Sequence, residues 1–254
     1  MALYDSIGRN YAALRRPDPR IAALVHAALG DATSVVNVGA GTGSYEPADR
    51  AVLAVEPAEV MIRQRPAQAA PCVQGRAEAL PLETGSVDAA MGLLTVHHWT
   101  DVAQGLAEMA RVARKRIALL TWVPDGPPFW LTQEYFPEIT AMDQKTFAGT
   151  PALTALLQRI VGPVTIRPVP IPHDCTDGFL GAYWRRPDAY LSAQVRGAIS
   201  SFAMLDFEPG LKRLSDDLGS GRWAERHGDL LDRESLDLGY RIVRCEIDRR
   251  SDPA

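Results

Sequence analysis

The strongest constraint on this chain is a short aliphatic run that ends in a glycine-rich turn, Val35-Val36-Asn37-Val38 followed by Gly39-Ala40-Gly41-Thr42-Gly43-Ser44-Tyr45. A buried strand that breaks into glycines presents bare backbone at the carboxyl edge of a sheet, where open α/β folds bind ligands. Similar runs recur at Val52-Leu53-Ala54-Val55, Cys72-Val73, Val87 to Leu94 and Ile117-Ala118-Leu119-Leu120. They lack strict alternation, as expected of strands covered on both faces in a parallel sheet. One crossover helix is plain: Thr100 or Asp101 can cap it, and Val102, Leu106, Met109, Ala110 and Ala113 share a face. Arg114-Lys115-Arg116 suits its C-terminal end. Strand and helix in alternation predict a doubly wound, mostly parallel α/β sheet.

With 254 residues, 46% hydrophobic and 23% charged, the chain has enough core for a globular fold, which excludes disorder and small stapled scaffolds. Its two halves differ in texture. Of eighteen aromatic residues, only Tyr4, Tyr11 and Tyr45 precede residue 94, and all five tryptophans follow it. From Pro124 to Pro172 nine prolines interrupt the pattern, and Phe129, Trp130, Tyr135, Phe136 and Phe147 crowd together. That texture predicts a cap of short helices between proline stops. Alternation in Val164-Thr165-Ile166 and in Tyr240-Arg241-Ile242 predicts two late strands at the sheet edge. Apolar residues at helical spacing predict a helix over 188–205 and another from Leu211 to a stop at Gly219. The preferred organisation is a single domain over 1–254. An N-terminal segment with a helix (1–30) precedes an α/β core (31–123), a cap of short helices (124–180), and C-terminal helices with an edge strand (181–254).

The formal charge of −4 leaves no electrostatic surplus for phosphate backbones, so nucleic acid and anionic membrane are poor partners. Cys72, Cys175 and Cys245 are odd in number and far apart, as expected of reduced thiols in a cytoplasmic protein. The opening residues MALYDSIGRN carry no signal-like apolar stretch, and the run Ile117 to Val123 is too short to span a bilayer. A monomer or a homodimer is equally compatible with these features.

Glycine spacing narrows the ligand. A dinucleotide turn uses G-x-G-x-x-G, but here the third glycine comes one residue early at Gly43, and Ser44 stands where the dinucleotide pattern has glycine. Seventeen residues after Gly39, at the end of the next aliphatic run, stands Glu56. A carboxylate there can accept two charge-assisted hydrogen bonds from a ribose diol.

VVNVGAGTG with VLAVEP, then GRAEALPLETGSVDAAMGLLTVHHW, resembles the class I S-adenosylmethionine-dependent methyltransferases, in the small-molecule branch that includes quinone-biosynthesis and trans-aconitate methyltransferases. The motifs span roughly residues 1–123. This resemblance implies a seven-stranded Rossmann-like fold that binds S-adenosylmethionine and releases S-adenosylhomocysteine. It implies that Gly39, Ala40, Gly41 and Gly43 pack on the methionine and ribose parts and that Glu56 holds the ribose hydroxyls. Pro57 and Met61 would flank the adenine, Ala77 and Glu78 would lie at its edge, and the strand end at Leu93 would support the donor sulfur. Arg76 departs from the acid many relatives carry. YDSIGRNYAALRRPDPRI looks like the lid of bacterial members, placing Tyr4, Tyr11 and either Arg15 or Arg16 near the reacting centre. Tyr11 and Arg16 are the candidates for the cofactor.

Methyl transfer requires in-line alignment of acceptor and sulfonium in a dry site, and such positioning can supply about 7 to 11 kcal/mol of the barrier. A base is needed only for a neutral hydroxyl, a protonated amine or an acidic carbon. His97 and His98, at the end of the fourth run, are the candidate bases. Tyr4, Trp130, Tyr135 and His173 are the candidate acceptor contacts. Asp174-Cys175-Thr176-Asp177-Gly178 matches a turn better than a metal site, so no metal is expected. The expected activity is methylation of O, N or C on a small metabolite. Rivals are a non-catalytic cofactor-binding partner subunit, a protein or RNA methyltransferase, and a nicotinamide oxidoreductase. Met91-Gly92-Leu93-Leu94-Thr95 lacks the Asn/Asp-Pro-Pro-aromatic run that grips a flipped base.

Overall fold

The computed structural model describes residues 14–203 and 206–247. Strands β1 (Ser34–Val38), β2 (Ala51–Glu56), β3 (Cys72–Gln74), β4 (Val87–Leu93) and β5 (Ala113–Trp122) pair in parallel. Strand β6 (Val164–Pro168) enters at the edge, and β7 (Ile171–Pro172) and β8 (Ser235–Leu236) form a separate small ribbon. The final strand β9 (Tyr240–Glu246) runs antiparallel between β5 and β6, giving a seven-stranded sheet in the order β3-β2-β1-β4-β5-β9-β6. The order reverses between β1 and β4, the switch point at which such sheets open a crevice.

Both faces of the sheet are covered. On one, Ile21, Val25 and Leu29 of α1 (Pro19–Leu29) pack with Val35, Met91 and Leu120 and with most of the aromatic residues. On the other, Val36, Ala90, Ile117 and Leu119 meet the apolar faces of two later helices. Coverage on both faces is why the central strands read as unbroken aliphatic runs. Helix α1 begins where the Asp18 side chain accepts from the Arg20 amide, with Pro19 in the first turn. A short α2 (Glu59–Arg63) follows β2, and in α3 (Val102–Val112) Asp101 caps the start by accepting from the Gln104 amide at 2.9 Å. The proline-rich stretch supplies α4 (Pro137–Thr146) and α5 (Thr150–Ile160), each with proline in its first turn. Helix α6 (Glu208–Ser220) ends at Gly221 in a left-handed cap.

Two expectations need correction. Arg114-Lys115-Arg116 lies on β5 rather than in the last turn of α3, and Arg114 bonds Asp88 across to β4 at 2.9 Å. Within the described part of 188–205, residues 188–203, no single helix forms. The stretch breaks into short turns at Pro187–Leu191, Ala193–Arg196 and Ser200–Ala203. Ser192 restarts the backbone by capping the second of these, so Tyr190, Ile199 and Phe202 reach the core from separate turns. Among the described residues, no helix is long and apolar enough to cross a membrane.

Candidate active site

At the carboxyl ends of β1, β2 and β4 lies a cavity of about 550 Å³, within the roughly 300–1,000 Å³ of small-molecule sites. Its floor is the glycine loop. The amides of Gly39 and Ala40 both donate to the Val55 carbonyl, at 2.8 and 3.1 Å, which pins the loop onto β2. Gly39 has φ +66°, and a Cβ there would sit 2.0 Å from the Thr95 hydroxyl, so only glycine lets β1 turn this close to the end of β4. Gly39, Ala40 and Gly41 line the cavity, but Gly43 does not. Gly43 has φ +94° and its amide closes a turn onto the Ala40 carbonyl at 2.9 Å, so its part is in shaping the loop rather than meeting a ligand.

Glu56 ends β2 at the cavity wall, buried to 5% exposure. One carboxylate oxygen accepts from the Gly41 amide at 2.8 Å and the other from the Ala58 amide at 2.9 Å. The two bonds fix the plane of the carboxylate at the glycine loop. Asn37, a polar residue inside an aliphatic strand, donates to Glu46 at 3.0 Å, while its buried Oδ1 has no donor. Because it also lines the cavity, an incoming N–H or O–H can satisfy that oxygen. The signal in the sequence is the one amide within VVNV. Pro57, Met61, Ala77, Glu78 and Leu93 also line the cavity, joined by Thr95, Trp99 and Thr100. Burial alone would raise the Glu78 pKa, but the amides it binds, Thr100 at 2.7 Å among them, lower it, so its carboxylate anchors the start of α3. Arg76 also faces the cavity and donates to Thr100 at 2.9 Å.

A second cavity of about 680 Å³ adjoins the first and shares Arg15, Leu94 and His98 with it. Leu94 has φ +52°, a strained conformation for a branched residue, and its amide bonds the Leu120 carbonyl at 2.7 Å. His97 and His98 follow on a single tight turn, Val96–His98. Burial lowers the His98 pKa to about 4, and burial, with His98 and Arg15 adding to it, holds His97 well below its ordinary value. Both rings are therefore neutral at physiological pH and keep a lone pair for a proton. His97 lines only the second cavity, stacks against Phe147 at 4.5 Å, and has a buried Nδ1 without a partner.

Arg15 stands at the junction because Asp177, itself fully buried, accepts from its Nε at 2.5 Å. The Tyr45 hydroxyl donates to the other oxygen of Asp177 at 2.8 Å. Beside them, burial would raise the Asp18 pKa, but Arg20 and the Thr176 amide bring it down to about 2. The chain before α1 is thus tied to the 174–178 turn by buried charge. Arg16, the expected cofactor contact, is exposed and outside both linings; the buried carboxylate selects its neighbour instead.

The expected acceptor contacts are mostly elsewhere. Trp130 is buried and donates to the Trp184 carbonyl at 2.9 Å, and Tyr135 is buried with its hydroxyl on Asp217 at 2.9 Å. Both pack in the aromatic core and line neither cavity, whereas Phe129 and Phe147 line the second. The packing of the cap, invisible in composition, decides which aromatic faces inward. His173 lies 3.5 Å from Glu234 beside the small ribbon, outside both cavities. Tyr4 and Tyr11 fall outside the described residues. Among those residues no group of three or more His, Cys, Asp or Glu could hold a metal.

Residues 36–120 match the family described as Methyltransferase domain. Over 91% of this chain and 98% of the other, the structure is similar to a candidate methyltransferase from an antibiotic biosynthesis pathway of Anabaena variabilis, with 34% identity and a TM-score of 0.84. Geranyl diphosphate C-methyltransferase from Streptomyces coelicolor, solved with S-adenosyl-L-homocysteine, shares the fold at 14% identity and a TM-score of 0.55, over 91% of this chain and 76% of that one. The YcgJ protein from Bacillus subtilis does so at 17% identity and a TM-score of 0.53, over 89% of this chain and 99% of that one. No curated sequence matches.

Proposed function

Because the chain belongs to the class I S-adenosylmethionine-dependent methyltransferases, we propose that the first cavity holds the donor and the second an acceptor small enough to be enclosed, with transfer at the wall they share. The observation that carries this reading is that shared wall of Arg15, Leu94 and His98. It supports two reactants meeting at short range, the main requirement of an in-line displacement.

The first cavity suits the donor. The fixed Glu56 carboxylate offers acceptors for a ribose diol, the orphaned Asn37 oxygen calls for a donor, and Met61 with Pro57 supplies an apolar wall for a purine. Of the described arginines lining this cavity, Arg15 and Arg76, Arg15 stands at the junction with the second cavity and is the one placed for the donor's carboxylate. When bound, the sulfonium supplies an electrophilic methyl. The chain's own part is to align the acceptor against it, exclude water, and take a proton where the acceptor carries one. His98, neutral and at the junction, is the group placed to take it.

S-adenosylhomocysteine is expected to raise the melting temperature and NAD to leave it unchanged; a thermal-shift assay with the reverse result would overturn the assignment. His98→Gln is expected to lower kcat about tenfold or more on an acceptor that must lose a proton, while S-adenosylhomocysteine affinity holds. Equal loss of both would make His98 a structural support of the donor site.

A further inference from the structure

Asp143 is the feature that the methyltransferase reading leaves unexplained. It lies on α4 four residues after Ile139, so both fall on the buried face of that helix, and it is only 8% exposed. The side chain borders the second cavity, and among the described residues its carboxylate opens onto that cavity rather than onto a hydrogen-bond or ion-pair partner. A buried carboxylate is normally paired, because an isolated charge out of water is costly. Here burial alone raises its pKa to about 7.

Charge around the cavity points one way. Among the described residues lining it, the cation is Arg15, already held by Asp177, and His97 and His98 are neutral. Burial pushes the Tyr240 hydroxyl further from ionising. A polycarboxylate or phosphorylated acceptor would thus meet one engaged arginine and an opposing carboxylate. Phe129, Phe147, Phe179 and Trp122 supply apolar wall for a ring or a branched chain.

Resting on the assignment of this cavity to the acceptor, we propose that the acceptor is an apolar, ring-bearing amine whose ammonium group pairs with Asp143. Arrival of the cation ionises the carboxylate, and the resulting pair is charge-assisted and shielded from water. Asp143 is then a specificity-determining residue.

The test screens matched arylalkyl amines, alcohols and carboxylates, such as phenethylamine, 2-phenylethanol and 3-phenylpropionate with their ring-substituted analogues, by ligand-observed NMR on the protein loaded with S-adenosylhomocysteine. Amines should be enriched among binders of the wild type, and Asp143→Asn should remove that enrichment at unchanged alcohol binding. Affinity for amines should rise about tenfold per pH unit between pH 5 and 7 and level off above, since Asp143 must lose its proton to pair. His98, lowered to about 4, titrates below that window, and burial shifts His97 downward as well. Enrichment of carboxylates, no enrichment of any class, or enrichment that survives Asp143→Asn would each overturn the proposal. Failure of S-adenosylhomocysteine itself to bind, measured first, would instead overturn the methyltransferase site on which it rests.

Discussion

Asp177→Ala is expected to lower the free energy of unfolding by about 3–5 kcal/mol, the usual cost of removing one partner of a buried ion pair. The Asp177 side chain is fully buried and that of Arg15 is 10% exposed, so the orphaned guanidinium would gain little from solvent. Tyr45 would lose its acceptor at the same time, leaving a second buried polar group unsatisfied. Urea denaturation measures the loss directly. A change below about 1 kcal/mol would mean that water or another acid replaces Asp177 and that the pair behaves as a surface contact. The same variant frees Arg15 from the wall shared by both cavities, so cofactor affinity should fall even under conditions where the protein remains folded.

Glu56→Ala is expected to weaken S-adenosylhomocysteine binding more than a hundred-fold by calorimetry. Hydrogen bonds to a charged group are each worth about 1.5–3 kcal/mol, and each 1.4 kcal/mol is a factor of ten, so losing two diol bonds suffices. The alanine also leaves the Gly41 and Ala58 amides without their acceptor, which loosens the loop on which the donor rests. Glu56→Gln separates these effects, because the amide keeps the shape and one acceptor while losing the charge. If alanine leaves affinity unchanged, the carboxylate serves the loop alone and the ribose lies elsewhere.

Residues in the first half were legible because their roles are local. A strand, its glycine turn and the acid at the end of the next strand stand in fixed register, since Val38 pairs with Val55 and Glu56 follows. Gly39, Gly41, Glu56, Pro57, Met61, Ala77 and Leu93 therefore reach one cavity by backbone geometry that the sequence already encodes. Arg16 shows where this stops. Two adjacent arginines are equivalent in sequence, and only Asp177, 162 positions from Arg15, decides between them. The cap is less legible still, because Phe129 and Trp130 are equally apolar and only their packing sends one to the cavity and the other to the Trp184 carbonyl.

By itself the sequence determined the parallel strands, the turn at their switch point and the residues that line the first cavity, because aliphatic periodicity and positive-φ glycine are properties of short segments. Tertiary structure alone decided the second cavity. The partners there come from distant segments, and whether Asp143 is a solvated surface charge or an unpaired buried acid depends on what packs over it, which spacing along the chain does not encode.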